Sequence, residues 1–367
     1  MGTIGSILLW LLTAFLLAAT MLPISKVARG AIRGLDFPRQ QYFLLAALLA
    51  VCVFIFVPGW LGGLGGPLLI LIGAVQLFYI LKFTPLWWRQ SVDASDALRG
   101  QTDRQVSLLA ANVKKSNRDY GALIDLVRRR QPDIAMAIEV DAEWIGALKE
   151  ALSDHFEDWV EVPNDNGYGL CVMSRLALSE TEVRDLITRD VPSVRTRVTL
   201  RDGEAFRLYV VHPEPPVIDH DTKGRDSEIA MVGLEATRDV LPAIVAGDLN
   251  DVAWSTTTRR FQRLSGLLDP RVGRGFFNTF SATMPWMRWP LDHLFHDARF
   301  RLMSMARLEK IGSDHFPMWF VLALAQNEKE EMSPGESDRQ EKQETKEMIA
   351  EEKARDRKPI GTDWEDE

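Results

Sequence analysis

The chain opens with three uncharged apolar runs, and they limit its architecture more than anything that follows. "IGSILLWLLTAFLLAATMLPI" covers 4–24, "QYFLLAALLAVCVFIFVPGW" covers 41–60 and "GPLLILIGAVQLFYIL" covers 66–81. A helix needs about 20 predominantly apolar residues to cross the hydrocarbon layer. The first two runs have that length, and the third reaches it with its flanks. Trp60, Trp87 and Trp88 stand near the run ends, where indole rings favour the interface. The first run has no Lys/Arg n-region before it, which argues against a cleaved signal peptide. Residues 1–85 are therefore predicted to be a membrane anchor of three transmembrane helices.

Charge separates what remains. Of the net −8, residues 1–104 carry +4, residues 105–325 carry −5 and residues 326–367 carry −7. Lys26, Arg29, Arg33 and Arg39 crowd the first loop between spans, and the second loop has no charge. The positive-inside rule then puts the first loop, and everything after the third span, in the cytoplasm. Cys52 lies in a span and Cys171 outside it, so a bridge between them is not expected. Residues 86–104 read as a linker. Residues 326–367 are acidic and poor in apolar side chains, too poor to offset their ordering entropy. That stretch is expected to be a mobile, disordered tail, although "EKQETKEMIAEEKARDRK" has the pairing of a solvated helix. A protein partner for it is not legible.

Between these lies one stretch in which the hydrophobic period changes repeatedly. "QVSLLAANV" (105–113), "DIAMAIEV" (133–140) and "YGLCVMSR" are short apolar runs, hence strands. "SVRTRVTL" and "EAFRLYVVHP" read as a strand pair joined through "RDGE". "PAIVAGDL", "RWPLDHLFHD" and "FPMWFVLALA" are further strands. Helical spacing runs through "NRDYGALIDLVRRRQ", "AEWIGALKEAL" and "GRDSEIAMVGLEATRDVL". Alternating helices and apolar strands predict helices packed on the sheet faces.

The polar residues fall in a pattern on this map. Asn112 ends the first strand and Glu139 the second. His212 closes "LYVVH", Asp248 and Asn250 follow "AIVAG", Asp292 lies in "PLDHLF", and Asp314 and His315 precede the last strand. Any one of these alone reads equally well as a cap or turn residue. Six strand ends that each deliver an ionisable or amide side chain do not.

In this order the motifs "ANV", "AIEV", "VVHP", "AGDLND", "PLDHLF" and "GSDHFP" resemble the endonuclease/exonuclease/phosphatase superfamily, over about 105–325. The resemblance implies a four-layer α/β sandwich with two packed sheets, and a metal-dependent phosphoric ester hydrolase. Spans ahead of such a domain resemble a bacterial branch that includes prenyl-phosphate phosphatases of the teicoplanin-resistance type. That likeness implies an inner-membrane protein with its domain outward, against the charge rule.

Phosphoester hydrolysis needs neutralised phosphoryl oxygens, an activated water and a stabilised leaving group. Hard oxygen ligands suit Mg²⁺, with Mn²⁺ as the alternative. The expected ligands are Glu139, Asn112 and Asp314. Asp248 is the expected general base and Asn250 orients water or phosphate. His315 is the expected imidazolium on the phosphate, with Asp292 as its partner, and His212 donates to the phosphate or leaving oxygen. Arg175, Arg195 and Arg197 are possible phosphate contacts, or equally solvated strand arginines. His293 and His296 sit on opposite strand faces, which excludes a zinc pair. A serine hydrolase lacks its Gly-x-Ser-x-Gly elbow here.

Three functions remain: a membrane phosphoesterase acting on lipid or another membrane intermediate, a nuclease, or an inactive scaffold. Nucleic-acid affinity rests mostly on Lys/Arg, and the −5 of the catalytic region disfavours it. The spans hold the site among lipid head groups, so a lipid-borne phosphate is the preferred substrate and membrane lipids the preferred partners.

Overall fold

The structure, a computed structural model, describes residues 3–25, 27–57, 59–325 and 333–360. Lys26 of the first loop and the ends of the tail lie outside the described residues.

Helices α1 (Thr3–Met21), α3 (Arg39–Phe56) and α4 (Trp60–Ile80) come from the three apolar runs. All three are long and apolar enough to cross a membrane. They pack on one another through Leu16, Ala46, Leu49, Val53, Leu69 and Ile72, while Ile4, Leu44, Phe54, Ile70 and Phe78 stay exposed. An apolar outer surface with a small packed seam is what a lipid solvent permits.

The one-turn α2 (Gly30–Arg33) sits in the loop after α1. Two arginines of this stretch, Arg33 and Arg39, are buried, while Arg29 is exposed. Arg39 bonds Asp36 and Gln76, and Arg33 lies 4.0 Å from Asp226, all buried. Two of the charges that set the predicted orientation are thus already neutralised locally, which weakens that argument.

Residues 86–104, including the short α5 (Asp96–Arg99), do not form a free tether. Ser91 Oγ bonds His296 Nε2 at 2.7 Å, Ala94 N donates to Leu302 O at 2.9 Å, and Leu302 N donates to Val92 O at 2.8 Å.

The remainder builds two sheets. The first has the order β10 (Phe300–Arg307), β11 (Met318–Leu324), β1 (Gln105–Asn112), β2 (Ile134–Ile138), β4 (Leu170–Ser174), β3 (Asp158–Val162). The second runs β5 (Leu178–Asp185), β6 (Pro192–Thr199), β7 (Ala205–Val211), β8 (Ala243–Asp248), β9 (Asp292–His296). Alternate residues of each central strand face the other sheet. Val106, Leu108, Ala110, Met136 and Val172 meet Val194, Phe206, Leu208, Ile244 and Leu294 in the central core.

The opposite faces carry helices. On the first sheet, α6 (Tyr120–Arg130) and α7 (Ala142–Leu152) cover Leu109, Ala111, Ala135 and Cys171. On the second, α8 (Lys223–Arg238) and α9 (Thr256–Ser265) cover Tyr209, Val211, Val245 and Phe295. The result is the expected four layers. Asp119 and Asp141 cap α6 and α7 by accepting from Ala122 N and Trp144 N, and Gln131 ends α6 in the left-handed region just before Pro132.

The tail departs from the disordered expectation. Residues 339–353 form α10 (Arg339–Lys353), which lies against α8. Arg263 holds Glu341 at 2.5 Å and Lys223 holds Glu351 at 2.8 Å. Apolar burial is scarce there, and charge complementarity with α8 and α9 takes its place.

Candidate active site

β1 and β2 run parallel, as do β7 and β8, so their C-terminal ends meet at one edge of the sandwich. Asn112, Glu139, His212 and Asp248 all leave the sheets there. Backbone geometry fixes two of them further. Glu139 has φ 64° and Asn250 φ 49°, left-handed values that a non-glycine residue adopts only where its surroundings demand it. Gly247 precedes Asp248 with φ 144°, and a Cβ there would lie 1.9 Å from Val211 O. Only glycine lets β8 approach β7 so closely at the point where Asp248 is delivered.

The side chains converge. Asn112 Nδ2 donates to Glu139 Oε1 at 2.7 Å and to Asp248 Oδ2 at 3.0 Å. Asn250 N donates to Asp248 Oδ1 at 2.9 Å, and Asn250 Nδ2 donates to Pro213 O at 2.9 Å. His315 Nδ1 meets Asp292 Oδ2 at 2.8 Å, while its Nε2 lies 3.5 Å from Asp248 Oδ2. His212 Nε2 lies 3.8 Å from Glu139 Oε1. Asp314 pairs with Lys114 Nζ at 3.2 Å on the same edge. All eight predicted catalytic and ligand residues therefore share one site.

The electrostatics divide these groups by role. Burial opposes charge on His315, but Asp292 and Asp248 outweigh it and push its pKa up to about 10. His315 is an imidazolium throughout the neutral range. Burial pushes Glu139 up to about 7 against the Asn112 hydrogen bond, and raises Asp248 against the pull of His315. Burial also lowers His212 to about 4, so it is a neutral imidazole.

Three observations fit a divalent cation. Ligand atoms of Glu139, His212 and Asp248 lie within 4.8 Å of one another, and the His212 imidazole is neutral. Both ring nitrogens of His212 and Oδ1 of Asp292 are buried without a partner. The buried carboxylates concentrate negative charge, and a bound cation would neutralise it.

The three candidate phosphate arginines are not in the site. Arg175 follows β4 at the Ile134 end of the sheet, opposite Glu139. Arg195 pairs with Glu182 and Asp239, and Arg197 with Glu180. Their strand face is solvated and carries its own carboxylates. His293 bonds Arg271 and Asp251 O, and His296 bonds Ser91, so both are structural.

Sequence reading missed several neighbours. Lys114 reaches Asp314. The Tyr168 ring lies 5.3 Å from that of His212, and the Phe280 ring 5.0 Å from that of His315. Thr279 Oγ1 accepts from Asp292 N at 3.1 Å. The tail also arrives at the rim: Arg357 pairs with Glu214 at 2.6 Å, and the Tyr168 hydroxyl donates to Ile360 O. Only "ANVK", with Lys114 two residues after Asn112, carried a local signal; the others come from distant loops.

Residues 109–315 match the family described as "Endonuclease/Exonuclease/phosphatase family". None of the curated proteins compared with the chain matches it. Among solved structures, a D. rerio TDP2 humanized by 14 mutations is similar at 18% identity and TM-score 0.50, covering 60% of this chain and 99% of that one. An endonuclease/exonuclease/phosphatase family protein from Bacteroides thetaiotaomicron gives 18% and 0.50, covering 62% and 98%. The human Nocturnin catalytic domain with bound sulfate gives 14% and 0.50, covering 60% and 95%. At these identities the likeness is one of fold.

Proposed function

The chain belongs to the endonuclease/exonuclease/phosphatase family and is a metal-dependent phosphoric ester hydrolase; from that premise we propose a membrane-anchored, Mg²⁺-dependent phosphoesterase whose substrate is a lipid-borne phosphate. One observation carries the lipid reading. The loops that follow Asp248 and precede Asp292 are packed on the ends of the apolar helices. Val252, Ala253, Trp254, Trp289 and Leu291 form one buried cluster with Ile80, Phe83, Phe37 and Phe43. Trp254 Nε1 donates to Asp36 O at 2.7 Å. The site is thus built onto the membrane end of the anchor rather than hung from it.

In this mechanism Glu139, with Asn112 and Asp314, would hold Mg²⁺. When bound, the cation supplies Lewis acidity to a phosphoryl oxygen and charge neutralisation. Asp248 accepts the proton of the attacking water, held in place by Asn112 and Asn250 N. The His315 imidazolium, kept charged by Asp292, stabilises charge on the phosphoryl oxygens. His212, whose Nε2 lies 3.8 Å from Glu139, donates to the phosphate or the leaving oxygen.

The test is a substrate panel with full-length protein in mixed micelles: prenyl phosphates and phospholipids, soluble phosphomonoesters, and plain or abasic duplex DNA. Each is run with Mg²⁺, with Mn²⁺ and with EDTA. Lipid phosphate turnover that EDTA abolishes is the expected result. Efficient DNA cleavage with every lipid inert replaces the reading with a nuclease, and no metal-dependent turnover at all leaves a scaffold. The loop charges and the prenyl-phosphatase likeness point to opposite faces of the membrane. We place the domain in the cytoplasm, and a reporter fused after Ala325 that works only outside would reverse this.

A further inference from the structure

The hairpin from Phe280 to Trp289 joins the site to the membrane anchor. Its base is closed by Phe280 N donating to Trp289 O at 3.0 Å, and its tip by Met287 N donating to Met284 O at 3.1 Å. At the base, Ala282 N donates to Asp314 O at 2.6 Å, and the Phe280 ring lies against His315. Phe280, Ser281, Thr283 and Met284 then line one wall of a cleft of about 400 Å³, whose other wall includes Lys114 and Asp314. At the tip, Met284, Trp286 and Met287 are 37%, 70% and 39% exposed.

That tip does not point at random. Gln41, in the first turn of α3, donates from Nε2 to Trp286 O at 2.9 Å, and Gln40 accepts from Asn278 Nδ2 at 2.9 Å. The hairpin is therefore clamped to the end of a span, beside the lipid-facing Leu44 and Leu48 of that helix. Leu86, Trp87 and Trp88, just after α4, are exposed as well. Arg288 of the hairpin, with Arg307 and Lys310 beside it, surrounds Phe316, with charged centres 5.1, 4.4 and 5.9 Å from its ring. Apolar tip residues, an exposed Trp and flanking cations are the composition of a segment lying in the headgroup layer.

We propose that the Phe280–Trp289 hairpin sits in the bilayer interface and holds the apolar chain of a lipid phosphoester, so that substrate reaches the cleft sideways from the leaflet while its chain stays along Met284, Trp286 and Met287. The inference rests on the lipid reading above and goes further by naming the subsite. It assigns the hairpin's two ends different tasks: the base shapes the phosphate cleft and the tip selects substrates that remain in the membrane.

Two measurements test it. Full-length protein with Cys52→Ala, Cys171→Ala and Trp286→Cys is labelled with an environment-sensitive fluorophore. It is then reconstituted in phosphatidylcholine vesicles containing phosphatidylglycerol. Quenching by lipids carrying a nitroxide high on the acyl chain, with protection from aqueous iodide, is expected. Iodide quenching without nitroxide quenching overturns the proposal and leaves the tip facing water or a protein partner. Second, Trp286→Ser/Met287→Ser is compared with the unmodified chain on a long-chain lipid phosphate in micelles and on a short-chain alkyl phosphate. A loss of kcat/KM at least tenfold greater on the lipid supports the subsite, carried mainly in KM; equal effects on both substrates overturn it. If the unmodified chain hydrolyses no lipid at all, the lipid reading fails. The probe still reports separately whether the hairpin is inserted.

Discussion

His315 shows how one residue's environment sets its use. It is fully enclosed, yet two carboxylates hold its proton, which suits it to the proposed task of a fixed positive charge rather than an acid that cycles. His212, equally enclosed but with its ring nitrogens unpartnered, is held neutral. Asp248→Asn removes the proton acceptor and keeps the shape, and His315→Ala removes the charge. Each is expected to lower kcat by about a hundredfold or more, with the circular dichroism spectrum unchanged. Full activity in either variant would remove that residue from the mechanism. Asp292→Asn provides a pH test with a definite sign. It takes away the larger of the two charges that raise the His315 pKa, so the ring loses its proton at lower pH. The alkaline limb of kcat should move from near pH 10 toward neutrality, while activity on the acid side changes little. An alkaline limb that stays in place would mean that His315 is not the group reporting.

At the scale of elements, edge strands and the tail differ most from the sequence reading. β3 and β10 are the edges of the first sheet and β5 an edge of the second, and none of the three was legible. β5 reads LSETEVRD with almost every residue solvated, and the charges that protect an edge from further pairing also erase the alternation that marks a strand. The polar α9, TTTRRFQRLS, was missed similarly, since only Phe261 and Leu264 supply its large apolar buried side chains. Central strands, buried on both faces, were plain apolar runs. For α10, pairing with α8 and α9 replaces apolar burial. Glu341→Lys should reverse the contact with Arg263 and release the helix. Faster amide hydrogen exchange across 339–353 is expected, with less than about 1 kcal/mol lost from the catalytic domain, because the pair is part-exposed. Unchanged exchange would show that other contacts hold the helix.

For the molecule as a whole, the apolar N-terminal helices and the two-sheet domain share a core. Trp254, Trp289, Val252 and Leu291 are buried against Ile80, Phe83 and the loop after α1. Deleting residues 1–85 would uncover this cluster, and a contiguous apolar patch of that kind drives association. The truncated protein is expected to aggregate without detergent, read by size-exclusion chromatography. A monodisperse, fully active fragment would show the domain to be self-sufficient. The same arrangement separates what the sequence determined from what it left open. Run length and hydrophobic period, which act locally, determined the three long apolar helices, the central strands and the helices between them. The ordered motifs pointed to the eight candidate residues, because each stands at or near the end of a strand. Tertiary structure alone decided which charges were already spent: Arg33, Arg195 and Arg197 look available in the sequence but lie against carboxylates from other elements. It alone also brought Phe280, Tyr168 and the tail to the site and set the hairpin against α3. Contacts between residues more than a hundred positions apart depend on how the layers close, and no local pattern encodes that.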